Sequence, residues 1–138
     1  MTTEYRKPLP RPLSPELTKP FWEAAKRHEL AMPRCQKCDK FFFYPREECP
    51  RCGSQDLGWA TVSGKGRLHT YTIVHQVANA AFRDDAPHVY AVIQLDEGPR
   101  MISNMVECPH EDLQVDMPVV AVFDDVTPAW TLVKFKPA

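Results

Sequence analysis

Four of the five cysteines in this 138-residue chain form two matched pairs, Cys35-Gln36-Lys37-Cys38 and Cys49-Pro50-Arg51-Cys52, with ten residues between them. A two-residue gap lets one tight turn aim both sulfurs at a single ion while its amides hydrogen-bond the thiolates. Two such turns complete a tetrahedron, so Cys35, Cys38, Cys49 and Cys52 are the expected ligands of one metal ion. With all four positions taken by protein sulfur, none is left for water or substrate. The ion is therefore expected to hold structure, not to catalyse.

The compartment argument points the same way. The sequence has no run of about 18 apolar residues, the length a membrane span needs. Met1 to Pro12 is polar and proline-rich, with no apolar stretch behind Arg6 and Lys7, so a secretory signal is not expected and a cytoplasmic location is. Thiols stay reduced there, which favours metal over disulfides. Sulfur-only tetrahedra take zinc or iron. Cys49-Pro50-Arg51-Cys52-Gly53 is similar to the second knuckle of a rubredoxin, but Asp39 stands where rubredoxins place glycine and the spacer is shorter than theirs. A structural zinc is the expected cofactor, with iron as the alternative. Cys108 has no partner pair and only His110 as a nearby activating group, so it reads as a small apolar residue. The five histidines share no ligand spacing, and no catalytic residue is assigned.

Around this module the pattern changes twice. Prolines crowd the start at 8, 10, 12, 15 and 20, giving an extended arm that needs a surface to lie on. Lys19 to Leu30 reads as a helix with Thr18 as N-cap and Pro20 in its first turn; Phe21, Ala24, Ala25 and His28 share one face and Trp22 points elsewhere. Phe21 and Trp22 either cover the core or anchor a partner. Residues 33–53 are expected to run on turns. From Trp59 onward β-branched residues alternate, giving strands at Arg67–His75, His88–Leu95, Arg100–Val106, Val119–Phe123 and Thr131–Phe135. Continuous alternation in the first of these puts His69 and His75 on one face. Gly64-Lys65-Gly66 permits a bend, and Asp96-Glu97-Gly98-Pro99 is a turn. The expected fold is mainly β. An arm and helix occupy 1–32, a rubredoxin-like zinc ribbon 33–57, and a five-stranded OB-fold barrel 58–138. Val77–Pro87 and Cys108–Met117 remain as long connections, the first a candidate binding element.

Pro20-Phe21-Trp22, the four-cysteine ribbon, Gly64-Lys65-Gly66 before Tyr71-Thr72-Ile73, Tyr90 to Gly98 and the closing Phe135-Lys136-Pro137 together resemble the domain-of-unknown-function 35 family. The likeness covers nearly the whole chain. It implies a zinc ribbon joined to an OB-fold and an acyl-CoA setting. The implied partners are thiolase-fold enzymes, including lipid-transfer-type thiolases and steroid side-chain aldolases, or hot-dog hydratases, with catalysis belonging to the partner. The chain is thus expected to be a required accessory subunit of a thiolase-like lyase or transferase complex in lipid or steroid metabolism, not an enzyme alone. CoA presents phosphates, an adenine and a narrow arm, which call for cationic side chains beside aromatic or apolar ones. Arg67, Tyr71, Phe82, Arg83, Arg100 and Lys134 are the candidates, with Phe21 and Trp22 for the partner contact.

The alternative is a single-stranded nucleic-acid module, with Phe41-Phe42-Phe43-Tyr44 stacking bases. A formal charge of −1 and a pI near 6.5 argue against it, because counterion release needs a basic surface. Colour separates the two metals: the purified protein is expected to be colourless with one equivalent of zinc, whereas visible sulfur-to-iron absorption would identify iron.

Overall fold

The structure, a computed structural model, describes residues 5–138; the first residues of the proline arm, 1–4, lie outside them. Helix α1 spans Pro15–Lys26, with Ser14 as N-cap, Glu16 in its first turn and Lys26 in its last, both suited to the helix dipole. It starts a turn earlier than the sequence suggested, because Pro15, not Pro20, takes the first-turn position where a missing amide is harmless. Pro20 lies inside the helix, and the bond it forfeits is to the Glu16 carbonyl near the first turn. Phe21, Ala24 and Ala25 are buried as expected. His28 is not on that face: α1 ends at the Arg27 cap, His28 adopts φ 60, and its Nε2 lies 2.8 Å from Asp125.

The chain then enters β1, Leu30–Cys35, which pairs antiparallel with β2, Leu57–Val62, in register from Leu30 opposite Val62 to Cys35 opposite Leu57. This two-stranded sheet corrects the turns-only reading of the cysteine module. Pro33 is unfavourable inside a sheet, yet a two-stranded ribbon has two edges, where a missing donor is tolerated.

Five further strands form a closed barrel in the order β3-β4-β5-β7-β6, the topology of an OB-fold. They are β3 (Lys65–Val74), β4 (His88–Leu95), β5 (Arg100–Met105), β6 (Pro118–Asp125) and β7 (Thr131–Pro137), each where alternation placed it. The alternation fails in one place. The β3–β4 register shifts between Leu68 and Thr70, a bulge at His69 that flips the phase, so Gly66 and Leu68 are buried before it and Tyr71 and Ile73 are partly buried after it. His75 lies beyond β3, so His69 and His75 share no strand face. Gly64, at φ 77, makes the expected bend into β3. Short 3₁₀ turns at Ala80–Asp85 and His110–Asp112 punctuate the two long connections.

Phe21, Leu30, Met32 and Val62 belong to the same buried cluster as Leu68, Ile93, Leu95, Val119 and Phe135 of the barrel. Helix, ribbon sheet and barrel thus share one core, each such side chain contributing roughly 1.5–3 kcal/mol. The closest approach of a glycine to another strand's backbone is at Gly66, where an added Cβ would collide with the Gln94 carbonyl. Gly66→Ala is expected to cost about 1–3 kcal/mol, read as a lower denaturation midpoint with an unchanged slope.

Candidate metal centre and adjoining cavities

Both cysteine knuckles are built alike. The carbonyl of Cys35 accepts from the Asp39 amide and that of Cys49 from the Gly53 amide, each at 2.9 Å, and both turns close on a left-handed residue, Asp39 at φ 63 and Gly53 at φ 75. Asp39 therefore adopts the conformation that glycine takes in the second knuckle. Aspartate tolerates that region better than most residues, and an ion pair with Arg34 holds its side chain. Arg34 in turn lies over the Phe41 ring, 5.4 Å from its centroid.

The four Sγ atoms lie within 4.8 Å of one another, with Cys35 to Cys52 at 3.6 Å and Cys38 to Cys49 at 3.7 Å. A tetrahedron with metal–sulfur bonds of about 2.3 Å has edges near 3.8 Å, so the donor set fits one ion. Amides of Cys38 and Arg51 point at the sulfurs of Cys35 and Cys49, each at 3.4 Å. Such bonds, led by the amide of Cys38 for Cys35 and that of Cys52 for Cys49, lower both thiols, Cys49 to about 6. Desolvation, and then the neighbouring sulfurs of Cys35 and Cys49, push Cys38 up to about 12. A cation at the centre removes that conflict and must displace protons to bind.

Two cavities adjoin the barrel. One, of about 330 Å³, is walled by Phe21 and Trp22 of α1, Phe43 and Tyr44 from the spacer between the knuckles, and parts of β5 and β7. The other, of about 660 Å³, lies under the arm and the Ala80–Asp85 turn and includes His88, Asn104 and Cys108.

The structure brings only two of the six CoA candidates together: Phe82 and Lys134 line the larger cavity. Arg67 donates to the Asp116 carbonyl at 2.9 Å, and the Tyr71 hydroxyl to the Leu113 carbonyl at 3.3 Å, so both hold the Cys108–Met117 connection. Arg100 donates to Gln94 at 2.7 Å beside the β4–β5 turn, and Arg83 is exposed on the 3₁₀ turn. Lys134 holds Asp124 at 2.7 Å. Phe21 is buried and Trp22 packs edge-on against Trp130, both presenting one side to the smaller cavity. Sequence reading missed Lys7, whose ammonium pins the arm to Asp85 at 2.6 Å, and His88, whose Nδ1 is buried without a partner. No local motif marks either. Burial, with Asp112 and Glu111 close by, pushes the Cys108 thiol up, opposite to what a nucleophile needs. The aromatic run is split: Phe42 is buried, Phe43 packs on Phe21, and Tyr44 projects outward.

Models of the ChsH2 rubredoxin-like zinc ribbon domain and the ChsH2 C-terminal OB-fold domain match residues 22–58 and 59–124. A DUF35 domain-containing scaffold protein of Methanocaldococcus jannaschii is 41% identical over 98 residues, covering 70% of this chain and 69% of that one. The chain belongs to the DUF35 family. Among solved structures, a chain of the "Ltp2-ChsH2(DUF35) aldolase" superposes on this DUF35 protein with a TM-score of 0.82 at 32% identity, over 92% of this chain and 98% of that one. A probable enoyl-CoA hydratase alpha subunit of Thermomonospora curvata is 35% identical over 119 residues, 86% of this chain. The chain spans only 37% of that relative's length.

Replacing Asp39 tests the knuckle. Asp39→Gly is expected to bind metal with unchanged stoichiometry, because glycine relieves the left-handed strain. Asp39→Val is expected to destabilise the ribbon by about 1–3 kcal/mol and speed metal loss to a chromogenic chelator.

Proposed function

We infer that this DUF35 protein is a non-catalytic accessory subunit that holds a structural zinc in Cys35, Cys38, Cys49 and Cys52 and binds a thiolase-fold acyl-CoA enzyme. The likeness to a chain of an aldolase complex, over 98% of that chain, carries the reading. Relatives named as scaffold proteins and as a hydratase alpha subunit support a role beside another enzyme. The chemistry is consistent with it. The sulfur tetrahedron offers no open position, and the lysines in the larger cavity are already engaged by carboxylates. The Cys108 thiol is shifted away from reactivity.

In this reading the ribbon and barrel supply a rigid face on which the partner completes or stabilises its acyl-CoA site. Phe82 and Lys134 are the candidates to reach the CoA ester, because they share a cavity that the other four do not line. The location consistent with such a partner is the cytoplasm. No helix among the described residues is long and apolar enough to cross a membrane.

Affinity purification from the source cell tests the assignment. A thiolase-fold enzyme is expected to co-purify in fixed ratio, and its acyl-CoA activity is expected to fall when this subunit is omitted. Recovery without such an enzyme, together with unchanged activity of the thiolase-fold enzyme encoded nearby, would remove the assignment. Cys49→Ser is expected to lose the zinc equivalent and weaken the complex. Zinc affinity is expected to rise with pH, because the ion displaces the proton held by Cys38.

A further inference from the structure

The smaller cavity, of about 330 Å³, is walled by side chains that ask nothing polar of an occupant. Phe21 and Trp22 meet edge to face at 5.0 Å, Trp22 meets Trp130 in the same way, and Phe43 lies 5.7 Å from Phe21. Met101, Ile102, Leu132 and Val133 complete the lining from β5 and β7. The polar side chains among them are engaged within the chain. Ser103 donates to the Val133 carbonyl at 2.8 Å, Asn104 to the Val89 carbonyl at 2.9 Å, Thr18 to the Pro15 carbonyl at 3.4 Å, and Lys134 to Asp124 at 2.7 Å. The Tyr44 phenol is turned to the Ile102 amide. Such a wall favours an uncharged, apolar group, because a polar one would lose its water and gain no partner. A dry cavity of about 150 Å³ is enough for benzene, so this one has room for a ring and its linkage.

The larger cavity is its polar counterpart. Lys7, Asp85, Glu107, His110 and Asp124 line it, together with His88, whose Nδ1 is buried without a partner. Asn104, Leu132 and Lys134 line both cavities, so the two share a border on β5 and β7. A polar cavity of about 660 Å³ and an apolar one of about 330 Å³ thus adjoin, which suits a ligand with one long polar arm and one compact apolar end.

We propose that the smaller cavity is an acyl subsite, which takes the compact, uncharged, ring-bearing acyl group of a CoA ester whose polar arm runs into the larger cavity. This rests on the CoA reading of Phe82 and Lys134 and names the substrate class within it. The thioester then lies over the shared border, outside the aromatic walls, where a partner's catalytic residues can reach its carbonyl carbon. An acetyl group would leave most of the cavity empty. A long linear chain would lose rotamer freedom by coiling into a compact space. A dicarboxylic acyl group would bring its second carboxylate to a wall whose one cation among the described residues, Lys134, is already neutralised by Asp124.

The zinc-loaded chain is titrated with CoA, acetyl-CoA, succinyl-CoA, benzoyl-CoA and benzoyl-N-acetylcysteamine, and followed by backbone amide NMR. The last probe carries the acyl group without the nucleotide. Both benzoyl thioesters are expected to shift Ile102, Ser103 and Val133. Benzoyl-CoA is expected to bind about tenfold more tightly than acetyl-CoA, the gain from burying one ring, and succinyl-CoA no better than acetyl-CoA. Ile102→Asp sets a charge at a 42% exposed position of the wall, and its fold is checked in the same spectra. It is expected to narrow the benzoyl preference to about twofold. Equal affinity for benzoyl-CoA and acetyl-CoA, tighter binding of succinyl-CoA, or no shift at the smaller cavity with millimolar benzoyl-N-acetylcysteamine would overturn the proposal. The CoA reading fails separately. Benzoyl-N-acetylcysteamine shifting the smaller cavity, while CoA leaves Phe82 and Lys134 unmoved, would support the apolar subsite and remove CoA from the larger cavity. CoA shifting Phe82 and Lys134 without any benzoyl preference would keep CoA there and overturn the acyl subsite.

Discussion

Four sulfur atoms within 4.8 Å of one another cannot all ionise without a cation among them, and the ribbon's shape depends on that condition. The backbone does part of the work by aiming amides at Cys35 and Cys49, which lowers both thiols, Cys49 to about 6. Cys38, pushed up to about 12, shows what the backbone alone leaves undone. Metal affinity and ribbon folding are therefore one equilibrium: the ligands converge only in the folded knuckles, and the knuckles hold their charge only with an ion. The spacer between them carries its aromatic side chains wherever those knuckles point.

The ribbon is joined to the barrel by more than a linker. Phe21, Leu30, Met32 and Val62 reach into the barrel's buried cluster, so the helix and the two-stranded sheet complete a core that neither closes alone. On the far side of this contact His28, just past the end of α1, stacks on Phe123 and bonds Asp125. That carboxylate also accepts from the Thr131 hydroxyl at 2.5 Å, which holds it below the usual range. The exposed pair adds little energy. Its position matters more, because it ties the exit of the helix to the β6–β7 end of the barrel.

What the sequence revealed follows from which signals are local. Cysteine spacing and β-strand alternation are short-range patterns, so the donor set and all five barrel strands were legible. Three departures arose where a local rule had two solutions. Pro15 and Pro20 both suit a first helical turn, and only the course of the arm selects Pro15. Pro33 speaks against a strand, but the pairing of Leu30–Cys35 with Leu57–Val62 is set by residues more than twenty positions away. The bulge at His69 leaves no signature in composition, although it reverses which side chains of β3 face inward. Cavities are the least legible feature, since Phe82 and Lys134 come from distant parts of the chain to line one cavity, while Arg67 and Arg100, equally basic, are spent on carbonyl and amide groups.

Phe43 and Tyr44 lie in the ten-residue spacer between Cys38 and Cys49, and they form one wall of the smaller cavity, against α1, β5 and β7. That wall is fixed at both ends by sulfur ligands and in the middle by packing: Phe43 lies 5.7 Å from Phe21 of α1 and 4.3 Å from Tyr44, ring centre to ring centre. The Tyr44 phenol faces the Ile102 amide on the β5 edge, and burial raises it above its ordinary range. A closed metal site therefore still bears on the shape of a cavity that its ligands do not line. It sets the position of a spacer whose aromatic residues wall that cavity. Removing the ion frees both anchors of the spacer at once, whereas a substitution within the barrel leaves that wall in place. The cavity wall and the integrity of the tetrahedron are in this way coupled through ten residues of backbone.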